Sequence, residues 1–196
     1  MQRFWTADFH LGMTDCLRFD KRGIAYGGLF KDINDMNNAL LKSCMTANED
    51  DIIVHVGDLA SFKADRGNKG LQVKPSKLLE CIPASFINIR GNHDLNNKVK
   101  SLCDSMRVHL GRRFPDVSVS HYPSYDKRAE GHFNKGDIHI CGHVHGKWKH
   151  CLDVDNSVLN INVGVDANGY RIISEEELIK YIDSVLKLPY NKINKV

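Results

Sequence analysis

The sequence predicts an α/β fold, and three observations carry that prediction. Short apolar runs rich in β-branched residues alternate with longer segments of helical period, the pattern of strands set between helices. The 196 residues are 42% hydrophobic and 26% charged, enough to bury a core in a single soluble domain spanning residues 1–196. Clusters of polar side chains fall one to three residues beyond five of the apolar runs, the place where open α/β sheets bind ligands.

Arg3–Thr6 reads as the first strand. Residues 32–47 then place Ile33, Met36, Leu40, Leu41, Cys44 and Met45 on one helical face. Residues 51–56 are rich in β-branched side chains and predict a second strand. Residues 75–81 predict a short helix with Pro75 early, where its missing N–H does no harm. Residues 85–89 give a third strand, residues 96 to about 106 a helix, and residues 117–120 and 137–141 two further strands. Residues 159–165 alternate as a strand does. Ser174-Glu175-Glu176-Glu177 has the spacing of a capping box and opens a helix striped by Leu178, Ile179, Ile182, Val185 and Leu186. Residues 61–74 and 122–136 are polar and read as loops of the same domain.

A formal net charge of +3 is mildly basic, compatible with an anionic substrate but no nucleic-acid footprint by itself. The six cysteines, Cys16, Cys44, Cys81, Cys103, Cys141 and Cys151, include no Cys-x-x-Cys pair and lie in apolar stretches. They read as buried thiols, not a disulfide frame or zinc finger. The first eight residues lack the apolar core of a signal peptide, and no stretch approaches the roughly 20 apolar residues of a membrane span. A reducing, cytoplasmic setting without membrane contact is the expectation; no oligomeric state follows from the sequence.

The five polar clusters are Asp8-Phe9-His10, Gly57-Asp58, Gly91-Asn92-His93-Asp94, Ser120-His121 and Gly142-His143-Val144-His145. Sheet geometry brings five such strand ends to one place. Two Asp, four His and one Asn offer oxygen and nitrogen donors without thiolate, which suits Mn, Fe, Zn or Ni better than Mg or Ca. Absence of Cys argues against a structural zinc site. Two divalent ions against two carboxylates leave a formal charge of about +2, suited to clamping an anionic phosphate beside an activated water.

The remaining candidates have plainer readings. His55 and His139 sit mid-strand and are expected in the core; His109, His132 and His150 are expected at the surface. Lys63, Arg66, Lys69, Lys127 and Arg128 follow ligand-bearing strands, yet solvated surface charge is the expected role. Phe62, Tyr122, Tyr125 and Trp148 could stack on a base. Without interleaved basic and aromatic residues, nucleic-acid binding is the less favoured reading.

In order, the five clusters match D-x-H, G-D, G-N-H-[DE], a lone His and G-H-x-H, and in this the chain resembles the calcineurin-like metallophosphoesterase superfamily. The resemblance spans residues 8 to 145 and implies a four-layer αββα sandwich, two mixed sheets face to face with helices outside. It implies that Asp8, His10 and His145 hold one ion, that Asn92, His121 and His143 hold the other, and that Asp58 bridges them. His93 would be the general acid, with Asp94 orienting its ring. The cofactor implied is a pair of divalent transition-metal ions, manganese first, with iron, nickel or zinc as alternatives. The activity implied is hydrolysis of a phosphate ester, a small molecule or nucleotide, by a hydroxide held between the ions, with phosphodiesters favoured. A phosphomonoesterase or nucleotide pyrophosphatase using the same site is the alternative, and a catalytically silent scaffold of the same fold the rival from another class.

The chain resembles a short bacterial and phage branch of that superfamily in particular. The branch's signatures are matched by Asp50-Asp51-Ile52-Ile53-Val54-His55-Val56-Gly57-Asp58-Leu59-Ala60 and by Asn162-Val163-Gly164-Val165-Asp166 with Tyr170-Arg171. Met13 and Ile172 stand where the branch has His and Pro, and neither position is an implied ligand.

Overall fold

Successive side chains of a strand point to opposite faces, and the first strand divides its residues between two cores on that principle. The computed structural model describes residues 1–61, 75–97 and 99–196. Its strands are β1 (Arg3–Thr6), β2 (Ile52–His55), β3 (Ser85–Asn88), β4 (Ser105–Leu110), β5 (Phe114–Ser120), β6 (Ile138–Cys141), β7 (His150–Asp153), β8 (Val158–Asn162) and β9 (Ile173–Ser174). Its helices are α1 (Asp15–Phe19), α2 (Ile33–Cys44), α3 (Pro75–Leu79) and α4 (Glu175–Leu186). One mixed sheet has the order β3-β2-β1-β9 and the other β4-β5-β6-β8-β7.

The parallel register pairs Phe4 with Ile53 and Trp5 with Val54. Phe4 and Ile53 therefore share one face and join Met36, Leu40 and Cys44 of α2. Trp5 and Val54 take the other face, against Val117, Val119, Ile140 and Ile161 of the second sheet. The two-sheet sandwich implied by the resemblance is present, with α2 outside the first sheet and Leu178, Ile182 and Val185 of α4 in the core between the sheets.

Local chemistry sets the helix ends. Asp32 caps α2 by accepting from the backbone N–H groups of Asn34 and Asp35, each at 2.9 Å. Ser174 and Glu177 close the expected capping box: Glu177 N donates to Ser174 Oγ and Ser174 N to the Glu177 carboxylate. Leu186, expected in the buried stripe, is half exposed where α4 ends, and so is Met45, just past the end of α2.

Other expectations change. The helix expected over residues 96–106 is a turn followed by a backbone path that pairs Cys103 with Ile89 and then enters β4. Val99, Leu102, Cys103 and Met106 have helical spacing, but Met106, Val108 and Leu110 alternate and reach the inter-sheet core once β5 pairs with them. His150 lies on β7, half buried, with Nδ1 2.7 Å from the Tyr181 hydroxyl, and His132 is also half buried. Four cysteines are buried as expected, whereas Cys81 is exposed and Cys103 half buried; all six are free thiols. His55 and His139 lie in the core. Phe62, Lys63, Arg66 and Lys69 lie outside the described residues. Among the described residues no helix is long and apolar enough to cross a membrane.

Candidate metal centre

The β1–β2 ladder does not stop where the strands do. Asp8 N donates to Gly57 O at 3.0 Å, His10 N to Asp58 O at 3.0 Å and Leu11 N to Leu59 O at 2.9 Å. Asp8, His10 and Asp58 are thereby held side by side. At the second sheet, Gly142 N donates to His121 O, and His143 N reaches across to the Asp8 carboxylate at 3.0 and 3.1 Å. The two sheets meet at this rim.

The backbone at the rim is unusual. Asp8, His10, Asp58, His143 and His145 all have positive φ, between 49° and 69°, a region that non-glycine residues seldom enter. Each such residue costs of order 1–3 kcal/mol, and such residues gather at functional sites. Gly57, with φ 89°, makes the turn before Asp58 without that cost. Gly91 serves a different need, since a Cβ there would collide with the Asp58 carboxylate.

Three groups of side chains converge, each with ligand atoms within 4.8 Å of one another: Asp8, His10 and His145; His10, Asp58 and His93; Asp58, His121 and His143. Asp58 belongs to two of them. Its Oδ2 lies 3.2 Å from His121 Nε2 and 3.7 Å from His10 Nε2, while Oδ1 accepts from His93 N at 2.8 Å. Asn92 joins through Oδ1, 3.3 Å from His121 Nε2. His121 Nδ1 donates to the Val56 carbonyl at 2.8 Å, so Nε2 is the nitrogen left for the cluster. All seven expected ligands and His93 come together.

Electrostatics follow from this crowding. Burial raises the Asp8 carboxyl to about 6. Burial also opposes charge on His121, but the hydrogen bond and charge of Asp58, with Asp8 behind, outweigh it and lift the imidazole to about 9. Burial opposes charge on Asp58 too, and His121 and His10 nevertheless hold it well below the usual carboxylate range. His10 is held well below its ordinary value by burial, hence neutral and available as a ligand. Burial, then His121 and Arg128, bring His143 down to about 4.

His10 supplies the test of whether metal fits. Its ring is 2% exposed, and neither ring nitrogen has a hydrogen-bond partner. A buried polar atom without a partner is costly, and here it faces carboxylates and further imidazoles. Such a donor set fits divalent transition-metal ions.

The calcineurin-like phosphoesterase superfamily domain matches residues 27–171. The chain belongs to the calcineurin-like phosphoesterase superfamily. No curated protein matches the sequence. Among solved structures, this calcineurin-like chain is similar to AQ665 of Aquifex aeolicus, a protein of unknown function, with 20% identity and a TM-score of 0.63 over 92% of this chain and 98% of that one. YfcE, a phosphoesterase from E. coli, is a more distant neighbour, 14% identical with a TM-score of 0.35 over 83% of this chain and 78% of that one. The matched stretch begins beyond Asp8 and His10, which the β1–β2 ladder nonetheless sets beside Asp58.

Two residues of this phosphoesterase domain make contacts beyond those expected. For Asp94 the resemblance implies a contact with the His93 ring; among the described residues the two form no ion pair. The Asp94 carboxylate accepts from Asp58 N at 3.1 Å, Leu59 N at 2.9 Å, Gly91 N at 2.8 Å and Asn88 Nδ2 at 3.1 Å, pinning the two ligand-bearing turns together. Arg128 is exposed, as expected of a surface charge, yet it lies over the Tyr122 ring at 4.1 Å and brings Nη2 to 3.1 Å from His143 Nε2, while Asp126 grips its fork. Sequence reasoning also passed over Arg22, Asp20 and Asp166, which surround His145 Nδ1. Asp166 follows β8 closely, so the rule that found the other clusters could have found it.

Proposed function

We propose that this protein is a dinuclear metal-dependent hydrolase of phosphate esters, phosphodiesters ahead of monoesters. Asp8, His10 and His145 would hold one ion, Asn92, His121 and His143 the other, and Asp58 would be shared. The observation that carries the reading is the pair of His/Asp clusters meeting at Asp58 beside a buried His10 with two unpartnered nitrogens. Manganese is the first choice, with iron, nickel or zinc as alternatives. When bound, such ions act as Lewis acids that neutralise phosphate charge and make water nucleophilic near neutral pH.

The chain's own residues do the rest. Asp8, Asp58, His10 and His121 are buried, so the site keeps bulk water from its ligands. His93 is half buried at the edge of the cluster; its N–H donates to Asp58 and its carbonyl accepts from Asn97 Nδ2 at 2.8 Å. That anchorage sets its ring 5.0 Å from that of His10, within reach of a leaving oxygen to which it would give a proton. Asp94 fixes the turns that carry Asp58 and His93. A second reading, a phosphomonoester substrate, is favoured by Arg128 beside His143, a cation able to meet the extra negative charge of a monoester.

Metal analysis joined to hydrolysis of aryl phosphodiesters, aryl phosphomonoesters and cyclic nucleotides, with Mn²⁺ supplied, tests the proposal. Two bound ions and turnover of the diesters are expected. Monoester turnover alone would select the second reading. Two ions without hydrolysis would make the chain a scaffold, and failure to bind transition metal would refute the site.

A further inference from the structure

Arg22 is fully buried, and a buried guanidinium must place all five of its N–H donors. Nε and Nη2 fork onto Asp166 at 2.8 and 2.6 Å. Nη2 also donates to the Asp8 carbonyl at 2.7 Å. Nη1 donates to the Phe9 carbonyl at 3.1 Å and points at Met36 Sδ, 3.8 Å away. All five are then used. Nη2 also stands 3.4 Å from His145 Nδ1 but has no N–H left for it.

Asp166 Oδ2 lies 3.1 Å from that same nitrogen. A carboxylate only accepts, so His145 Nδ1 must carry the proton and donate it to Asp166. Asp20 Oδ1, at 3.4 Å, is a more distant acceptor for the same N–H. Nε2 is left as the free lone pair of His145, whose ring stacks on His10 at 5.0 Å.

We propose that Arg22 and Asp166 are positioning residues for the first ion. This rests on the two-ion reading above and deepens it. One guanidinium reaches the backbone between Asp8 and His10 directly and the His145 ring through Asp166, which is every member of that cluster. A carboxylate that fixes a ligand imidazole in this way typically contributes 10- to 100-fold to metal affinity. His121 in the second cluster donates to the Val56 carbonyl, with Asp8 Oδ1 4.0 Å away, and among the described residues no hydrogen bond joins it to Arg22 or Asp166.

Two measurements on the full chain test this. In Zn²⁺-loaded protein with ¹⁵N-labelled histidine, His145 is expected to coordinate through Nε2 and keep its proton on Nδ1; coordination through Nδ1 overturns the proposal. In Mn²⁺ titration calorimetry, Asp166→Asn is expected to weaken one of two ions by about 10- to 100-fold and leave the other unchanged. Because that variant strands a buried guanidinium, Arg22→Met combined with Asp166→Leu is measured beside it, since removing both charges together is better tolerated. Unchanged affinity for both ions in both variants overturns the proposal. So does equal loss of both ions, the mark of general loosening. Wild-type protein that binds fewer than two ions would instead refute the two-ion reading.

Discussion

Replacing Asp94 by Asn exchanges one carboxylate oxygen for an NH₂ group at a place where four donors converge. The best placement of the new amide keeps its oxygen where Oδ2 was, still accepting from Asp58 N, Gly91 N and Asn88 Nδ2. The Leu59 N–H then faces another donor and loses its partner, at about 1–3 kcal/mol for a buried group. The three bonds that remain lose charge assistance, at about 0.5–1 kcal/mol each. The sum is about 3–6 kcal/mol, and a chain of this length melts about 2–4 °C lower per kcal/mol, so Tm should fall by about 6–24 °C. Calorimetric unfolding of metal-free wild type and Asp94→Asn measures this directly. A fall under about 3 °C, with turnover lost and metal retained, would refute the turn-pinning role and restore Asp94 as the partner of the His93 ring.

Other expectations follow from the same geometry. His10→Phe should abolish binding of one ion while metal-free Tm holds or rises, because the variant removes two buried unpartnered nitrogens; a marked drop in metal-free Tm would show that His10 has an unseen structural partner. His93→Ala should keep both ions and lose about 10²–10⁴-fold in turnover, most for poor leaving groups; full activity on an alkyl diester would remove it from proton donation. His139, buried among Ser118, Ser120 and the Tyr122 carbonyl, is held by burial down to about 4 against an ordinary value of 6.5. As pH falls from 6.5 towards 4, the unfolded chain takes up a proton that the folded chain refuses, so stability is full above 6.5 and declines through that window. Denaturant unfolding at pH 7, 5.5 and 4.5 should show that decline shrink in His139→Gln, and an unchanged slope would exclude His139 as its source.

Much of the site was legible because chemistry interrupts pattern at the strand ends. Asp8, Asp58, Asn92, His121 and His143 each follow an apolar run that predicts a strand, and the sheet topology does the rest. Residues 99–106 were not legible, because two periods overlap there and only β5, pairing from the other side of a turn, selects alternation. Asp94 drew notice only through the resemblance, as a partner for His93; that the turn carrying both aims its carboxylate at backbone 35 and 36 residues away leaves no mark in the sequence. Arg22 carried no burial signal at all between Lys21 and Gly23. Its partner is 144 residues distant, and only the folded chain makes the pair.

The left-handed backbone at the rim reaches into protein engineering. Alanine is the usual choice for silencing a ligand, yet at His145, with φ 51°, its Cβ keeps the full steric cost, about 1–2 kcal/mol per residue. Glycine there would release it, so His145→Gly should melt above His145→Ala, the reverse of their order in a helix. At Asp8 and Asp58 asparagine is the gentler silencer, since it tolerates that backbone and keeps an oxygen in place. A substrate-trapping form of this enzyme is best built from those two residue types.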